Sequence, residues 1–155
     1  MEDQVKVYSA LLREVGAIVA GPLEQNQKLQ AICELLRDRV AHYDWVGFYL
    51  IEPSATDLVL GPYAGEPTEH VRIPVGRGIC GQAAETKQTF VVQDVSQESN
   101  YLSCSPKVRS EIVVPILRDG KVVGELDIDS HALEAFSEED TAFLEGICKA
   151  VGSLL

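Results

Sequence analysis

The sequence predicts one α+β domain over residues 1–155, with a mainly antiparallel sheet, N- and C-terminal helices packed on one face and a ligand pocket on the other. Three observations support this. Helical periodicity occurs at both ends of the chain, alternating or short apolar runs lie between them, and two of these runs are joined by Asp119-Gly120. A chain of 155 residues is long enough to bury a core of its own without a metal or disulfide.

Four segments show the pattern of helices. Apolar residues recur at steps of three and four over residues 3–20 and again over residues 26–42. A short helix is expected at 79–86, after a glycine-rich turn. Ser137-Glu-Glu-Asp140 resembles a capping box, which predicts that the last helix begins there.

The middle of the chain predicts strands. The safest prediction is an antiparallel hairpin, because Asp and Gly both tolerate the positive φ angles of a two-residue turn. The predicted strands cover residues 44–52, 57–65, 71–75, 89–93, 111–118 and 121–129.

Composition excludes several function classes. Thirteen basic and 24 acidic residues give a formal charge of −11, which disfavours nucleic acid and anionic membranes as partners. The chain shows neither a signal peptide nor an apolar run that could span a membrane, so a cytoplasmic location is expected. Four scattered cysteines are then expected to be reduced, and the histidines lack metal-ligand spacing to them, so no bound metal is predicted.

Cys104 is the leading candidate for a reactive thiol. It precedes Ser105-Pro106, a plausible start of a short helix, and Lys107 and Arg109 follow. A helix N-terminus and nearby cations both favour a thiolate. A semi-exposed loop cysteine without chemistry explains the local sequence equally well.

Cys80 lies in a glycine-rich segment. The spacing from Gly76 to Gly81 formally matches a dinucleotide-binding fingerprint, but the hairpin that follows disfavours a parallel βαβ unit. A tight turn that exposes Cys80 at a helix start is the preferred interpretation, with simple packing as the alternative. Cys33 and Cys148 fall on apolar helical stripes and are expected in the core.

An acidic stripe follows the hairpin. Glu125, Asp127 and Asp129 share one strand face, because side chains alternate along a strand. The stripe is either solvated or lines a cavity for an ammonium group. Glu111 on the partner strand is in position to complete such a site.

Two aromatic side chains share the non-core face of the first strand. Trp45 and Tyr49 are four residues apart there, so they can wall a pocket for an alkyl or thioether chain, or simply pack beneath a loop. His70 and His131 carry no specific signal.

A set of motifs, in order, resembles the free methionine-(R)-sulfoxide reductases, which are single-GAF-domain enzymes. The motifs are Trp45-Val-Gly-Phe-Tyr49, Gly61-Pro62, Val71-Arg-Ile-Pro-Val-Gly-Arg-Gly-Ile-Cys-Gly81, Ser110-Glu-Ile-Val-Val-Pro115 and Gly124-Glu-Leu-Asp-Ile-Asp-Ser130. The resemblance implies thiol-dependent reduction of free methionine (R)-sulfoxide, no bound cofactor, an external thioredoxin-type reductant and a homodimer.

The resemblance also implies residue roles. Cys104 corresponds to the catalytic cysteine and Cys80 to a second redox cysteine. The substrate-binding positions correspond to Trp45, Tyr49, Glu111, Asp127 and Asp129. Proton delivery to the sulfoxide oxygen is expected from Glu111 or Asp127.

The chain departs from the family pattern at three positions. A third family cysteine is His70 here, the acid after the catalytic cysteine is Ser105, and an asparagine is Arg109. These departures keep open the alternative of a noncatalytic GAF domain that senses a small ligand or redox state. The amphipathic terminal helices leave a partner-binding adaptor as a further alternative.

Overall fold

The computed structural model describes residues 2–99, 101 and 105–155. Its centre is a six-stranded sheet, and every strand pair recorded in it is antiparallel. The strands are β1 (Trp45–Ile51), β2 (Asp57–Ala64), β3 (Arg72–Pro74), β4 (Phe90–Val92), β5 (Ser110–Arg118) and β6 (Lys121–Ser130), in the order β3-β2-β1-β6-β5-β4. The helices are α1 (Glu2–Ala20), α2 (Gln25–Arg39), α3 (Gly78–Thr86) and α4 (Glu138–Val151). The predicted α+β class is confirmed.

The strand order explains where α3 lies. β3 and β4 form opposite edges of the sheet, so the chain between them must cross the whole sheet. That crossing contains α3, which packs against β3, β5 and β6. The spacing from Gly76 to Gly81, which formally matches a dinucleotide-binding fingerprint, therefore lies at the start of a helix that crosses an antiparallel sheet. The parallel βαβ unit of a Rossmann fold is absent from the described strands.

The opposite face of the sheet carries the main core. Helices α2 and α4 pack directly on the strands, while α1 packs on α4 and α2. Phe48, Ile112 and Ile128 are among the strand residues that point into this core. Cys33 and Cys148 lie in it as predicted.

Local signals fix two element boundaries. Asp119 and Gly120 have φ of 52° and 77°, which gives the predicted two-residue hairpin turn between β5 and β6. The Ser137 side chain accepts from the Asp140 N–H, and the Asp140 carboxylate accepts from the Ser137 N–H at 2.9 Å. The predicted capping box is confirmed.

The short helix expected after Cys104 is wrong. Residues 105–108 form a turn, in which the Lys107 N–H donates to the Ser105 hydroxyl and the Val108 N–H to the Ser105 carbonyl, both at 3.2 Å. The reason lies in the next residue. The Arg109 N–H donates to the Ser130 carbonyl at 2.8 Å. Because this backbone group is already hydrogen-bonded to the sheet, the turn does not continue into a helix.

Within the described part of the chain, no helix combines the length and the apolar character that a membrane crossing requires.

Candidate active site

Three adjacent strands bring four acids and two aromatic residues to the face beneath α3. Trp45 of β1 pairs with Asp129 of β6, and Asp129 in turn pairs with Glu111 of β5. Further along the same two strands, Tyr49 of β1 pairs with Glu125 of β6. Because side chains alternate along each strand, all of these point to the same side.

The four carboxylates are buried. Glu125 is 0% exposed and Asp127 is 1% exposed, and Glu111 and Asp129 are buried as well. The interpretation as a solvated stripe is therefore wrong, because the α3 crossing covers this face. The structure supports the alternative in part, since Glu111 and Asp127 line one small cavity and Asp129 lines a second hollow.

Burial sets the protonation of these acids. Removal from water raises the pKa of Glu111 well above its usual range, and the neighbouring charges of Asp127 and Asp129 raise it further. Burial also raises the pKa of Glu125 and Asp129 strongly. For Asp127 burial raises the pKa, but interactions with Glu111, Cys80 and His70 oppose this. The site therefore stores exchangeable protons.

The Cys80 thiol interacts as a hydrogen-bond donor with Glu125 and Asp127, and the Glu111 carboxyl group with Asp127 and Asp129. Several carboxylate oxygens nevertheless have no donor in good hydrogen-bonding geometry among the described residues. They are both oxygens of Glu125, both of Asp129 and Oδ1 of Asp127. Buried acceptors without donors are costly, so such groups mark a place where a ligand or water completes the bonding.

The aromatic wall is rigid. The Trp45 ring stacks on Tyr63 with centroids 5.5 Å apart, and its indole N–H donates to the Glu66 carbonyl at 2.9 Å. A Cβ on Gly47 would come within 2.3 Å of the Trp45 ring, so only glycine lets the ring lie over this position. Tyr49, with its ring centroid 6.5 Å from that of Trp45, donates its hydroxyl proton to the His70 carbonyl at 2.7 Å.

Cys80 is in the site, but it is not exposed as the sequence predicted. It is 5% exposed, on the first turn of α3, facing the acids. The close approach of the glycine turn holds it there, since the Gly76 N–H donates to the Gly81 carbonyl at 2.7 Å. Burial, with the charges of Asp127 and Glu125 next, raises the pKa of the Cys80 thiol well above its usual range, so the resting group is a thiol.

A cavity with room for about one water molecule, ≈ 10 Å³, lies between these groups. His70, which the sequence left as an ordinary polar position, is part of its wall. Its described lining is Tyr49, His70, Ile73, Arg77, Gly78, Ile79, Cys80, Glu111 and Asp127. A second hollow of ≈ 90 Å³ lies on the other side of the acids and is lined by Trp45, Asp129, Ser105 and Val108, among others.

The predicted nucleophile, Cys104, lies outside the described residues. Ser105, the residue that follows it, lines the second hollow together with Trp45 and Asp129. The cation after it is engaged elsewhere, because Lys107 forms an exposed ion pair with Glu66 at 3.2 Å. The role of Cys104 therefore stays a prediction.

A larger surface hollow of ≈ 480 Å³ lies between the end of α3 and α4. Its described lining contains a single acid, Glu145, which accepts a hydrogen bond from Thr89 at 2.8 Å. Its lining includes one buried thiol, Cys148, but none of the unpartnered acids of the site under α3, so we assign the chemistry to the latter.

Comparison with known proteins identifies the family of this chain. Residues 25–155 match the GAF domain family. The free methionine-R-sulfoxide reductase of Escherichia coli is 37% identical over 138 residues, which is 89% of this chain and 82% of that protein. The chain belongs to the free methionine-R-sulfoxide reductase family of GAF domains.

Solved structures of family members agree with the present fold. The free methionine-R-sulfoxide reductase of Neisseria meningitidis, in complex with its substrate, superposes with a TM-score of 0.91 at 36% identity, covering 97% of this chain and 89% of that chain. The Staphylococcus aureus protein named fRMsr, also in complex with substrate, has a TM-score of 0.86 at 37% identity, covering 96% and 95%. The predicted resemblance is confirmed.

Sequence reasoning missed some of the site. Arg77 and His70 line the cavity, and Tyr63 supports the Trp45 ring. One signal was available for Tyr63, because Gly47, which leaves room for the indole, pairs with it across β1 and β2. His70 and Arg77 belong to loops, where no periodicity indicates direction.

Proposed function

We propose that this protein reduces free methionine (R)-sulfoxide to methionine with electrons from thiols. The observation that carries the proposal is the set of buried, partly unpartnered carboxylates beside the Trp45 and Tyr49 wall. An ammonium group satisfies such oxygens, and an aromatic wall suits a methyl sulfoxide end. Family members bearing this activity in their names support the same substrate.

In the proposed reaction, the Cys104 thiolate attacks the sulfoxide sulfur while Glu111 protonates the oxygen. The hydroxyl group then passes from the substrate sulfur to the Cys104 sulfur as the substrate S–O bond and the new S–S bond break, so that methionine leaves and Cys104 becomes a sulfenic acid. Glu111 suits this role better than Asp127, because burial and two neighbouring carboxylates keep its proton bound. Asp127, in which neighbouring groups oppose the rise in pKa, then holds the ammonium group together with Asp129, because the positive charge of the ammonium group favours the ionised form of Asp129.

Recycling of the enzyme uses the second thiol. The Cys80 thiol condenses with the sulfenic acid, which releases water and forms a disulfide. A dithiol reductant of the thioredoxin type reopens the disulfide by exchange. The buried position of Cys80 beside Glu111 and Asp127 supports a thiol that reacts only with a group brought into the cavity.

We further propose a homodimer in a reducing, cytoplasmic compartment. Val5 and Val7 of α1 are about half exposed, which leaves apolar surface for a second copy. Light scattering of the purified chain tests the dimer. A monomer mass at all protein concentrations would contradict it.

The test of function is a turnover assay with the separated R and S sulfoxides of free methionine, coupled to thioredoxin and its reductase. We expect methionine from the R epimer only, and none from the Cys104→Ser variant. Cys33→Ser, a buried thiol in the other core, is the matched control and retains turnover. Calorimetric binding of the sulfoxide without methionine release would instead identify a noncatalytic sensor domain.

A further inference from the structure

Three metal-ligand atoms converge at the cavity under α3. The Cys80 sulfur and one carboxylate oxygen each of Glu111 and Asp127 lie within 4.8 Å of one another, and all three residues are buried. They come from α3, β5 and β6, so no sequence spacing signals the group. A tetrahedral zinc ion with bonds of about 2.0–2.3 Å holds its ligand atoms about 3.3–3.8 Å apart, so zinc binding requires these three side chains to move closer together.

A second observation favours a cation as the ligand of this cavity. Asp127 lines the cavity and is 1% exposed, yet its Oδ1 accepts no hydrogen bond from any residue that the structure describes. A bound cation satisfies such acceptors and also relieves the repulsion between adjacent carboxylates.

The donor set selects the type of cation. Mg²⁺ and Ca²⁺ prefer sites made only of oxygen, whereas a thiolate with carboxylates suits Zn²⁺ and metals of similar softness. A buried thiol does not prevent this, because the metal displaces the thiol proton on binding.

We propose that Cys80, Glu111 and Asp127 form a binding site for Zn²⁺, and that the bound ion competes with the amino-acid substrate. The site itself is independent of the proposed function, whereas the competition rests on it. A coordinated Cys80 sulfur cannot condense with a sulfenic acid, and a coordinated Glu111 cannot carry a proton. Zinc therefore holds the site in a reduced but inactive state.

Cobalt is the probe for the site, because thiolate coordination to Co²⁺ gives a charge-transfer absorption in the near ultraviolet. The full chain carrying Cys104→Ser is reduced, freed of reductant under argon and titrated with Co²⁺, so that the other candidate thiol makes no contribution. We expect about one Co²⁺ per chain with this absorption, and its loss on addition of Zn²⁺. Absence of the band overturns the proposal.

Further variants in the same background locate the ligands. Adding Cys80→Ser abolishes the band, while adding Cys33→Ser or Cys148→Ser, which change buried thiols in the other core, leaves it intact. Asp127→Asn weakens Co²⁺ binding at least about tenfold, whereas Glu69→Gln at an exposed acid does not. Circular dichroism confirms that each variant is folded. A band that survives Cys80→Ser overturns the assignment.

Competition is tested in a single turnover. Pre-reduced chain without external reductant is mixed with methionine (R)-sulfoxide at several Zn²⁺ concentrations. We expect inhibition that higher sulfoxide concentrations overcome and that a chelator reverses. If the chain releases no methionine even without zinc, the proposed function fails while the cobalt result still stands. Zinc binding without inhibition refutes the competition.

Discussion

At the scale of single residues, burial raises the pKa values of the acids in the site above those of the same side chains in water. Glu125 is fully buried, and neither of its oxygens has a donor in good hydrogen-bonding geometry among the described residues. Burial raises its pKa, so the folded state binds its proton more tightly than the unfolded state. Such a group costs stability once pH exceeds its unfolded pKa of roughly 4.3, because folding must then either bind a proton or bury a charge.

Glu125→Gln is therefore expected to stabilise the protein at about pH 8 and to have much less effect at about pH 4. The gain at the higher pH is expected to be at least about 1 kcal/mol, close to the free energy of one pKa unit. Urea unfolding at both pH values measures it. Glu69→Gln, at an exposed acid, is the control, and equal gains at both pH values would contradict the explanation.

Glu111→Gln tests proton donation. Its pKa is raised, so the donor form is present below that pKa and is lost as pH rises through it. We expect kcat for methionine (R)-sulfoxide to fall by about 100-fold or more, since a general acid contributes about 10²–10⁴-fold. Steady-state kinetics over a pH series measure this.

The kinetic parameters separate two roles for Glu111. A loss confined to KM, with kcat and its alkaline limb unchanged, would mean that Glu111 binds the ammonium group and donates no proton. Glu69→Gln again serves as the control, because it changes the same charge at an exposed position.

At the scale of elements, α3 depends on a close backbone contact. A Cβ on Gly81 would lie 2.6 Å from the Pro74 carbonyl oxygen and 2.9 Å from the Gly76 nitrogen. Both are backbone atoms, which cannot rotate away. The contact fixes the start of α3 against the end of β3, and Cys80 is adjacent to it.

Gly81→Ala and Gly16→Ala are the same change in two helices, with opposite expected results. Gly16 has open space around its Cβ position, so alanine there raises the free energy of unfolding by about 1 kcal/mol through helix propensity. Gly81→Ala lowers it by about 1–3 kcal/mol, because the clash exceeds that gain. Chemical denaturation measures both, and a stabilised Gly81→Ala would show that the turn can relax.

At the scale of the whole molecule, Asp140 joins distant segments. Its Oδ1 accepts from the hydroxyls of Tyr8 at 2.5 Å and Tyr43 at 2.6 Å, and lies 2.8 Å from His42 Nε2. These groups connect α1, the segment before β1 and the start of α4. Burial favours a raised pKa for Asp140, but the hydrogen bonds from His42, Tyr43 and Tyr8 outweigh it and lower that pKa.

Asp140→Asn is expected to lower the free energy of unfolding by about 2–3 kcal/mol near neutral pH, since hydrogen bonds to a charged group are lost. Because the folded pKa is depressed, the contribution is present above the unfolded pKa of roughly 3.9 and disappears as pH falls through the folded value. The free energies of unfolding of the variant and the parent protein therefore converge at acidic pH. Glu138→Gln, an exposed acid of the same helix turn, is the control.

The pattern of the chain predicted much of this structure for local reasons. Alternation along 44–52 and 121–129 places Trp45 and Tyr49 on one face and Asp127 and Asp129 on one face, whatever lies above them. The Asp119-Gly120 turn then brings Glu111 opposite Asp129. The acidic stripe and its partners were predictable because they depend only on the period of a strand and on one turn.

The sequence by itself determined the elements, the hairpin and the shared face of the site residues, because periodicity and turn chemistry act between near neighbours. Only the tertiary structure decided that this face is covered. β3 and β4 form opposite edges of the sheet, so α3 crosses between them, buries Cys80 and shields the acids from water. Their raised pKa values and their unpartnered oxygens follow from that crossing, since both depend on which distant segment replaces the solvent.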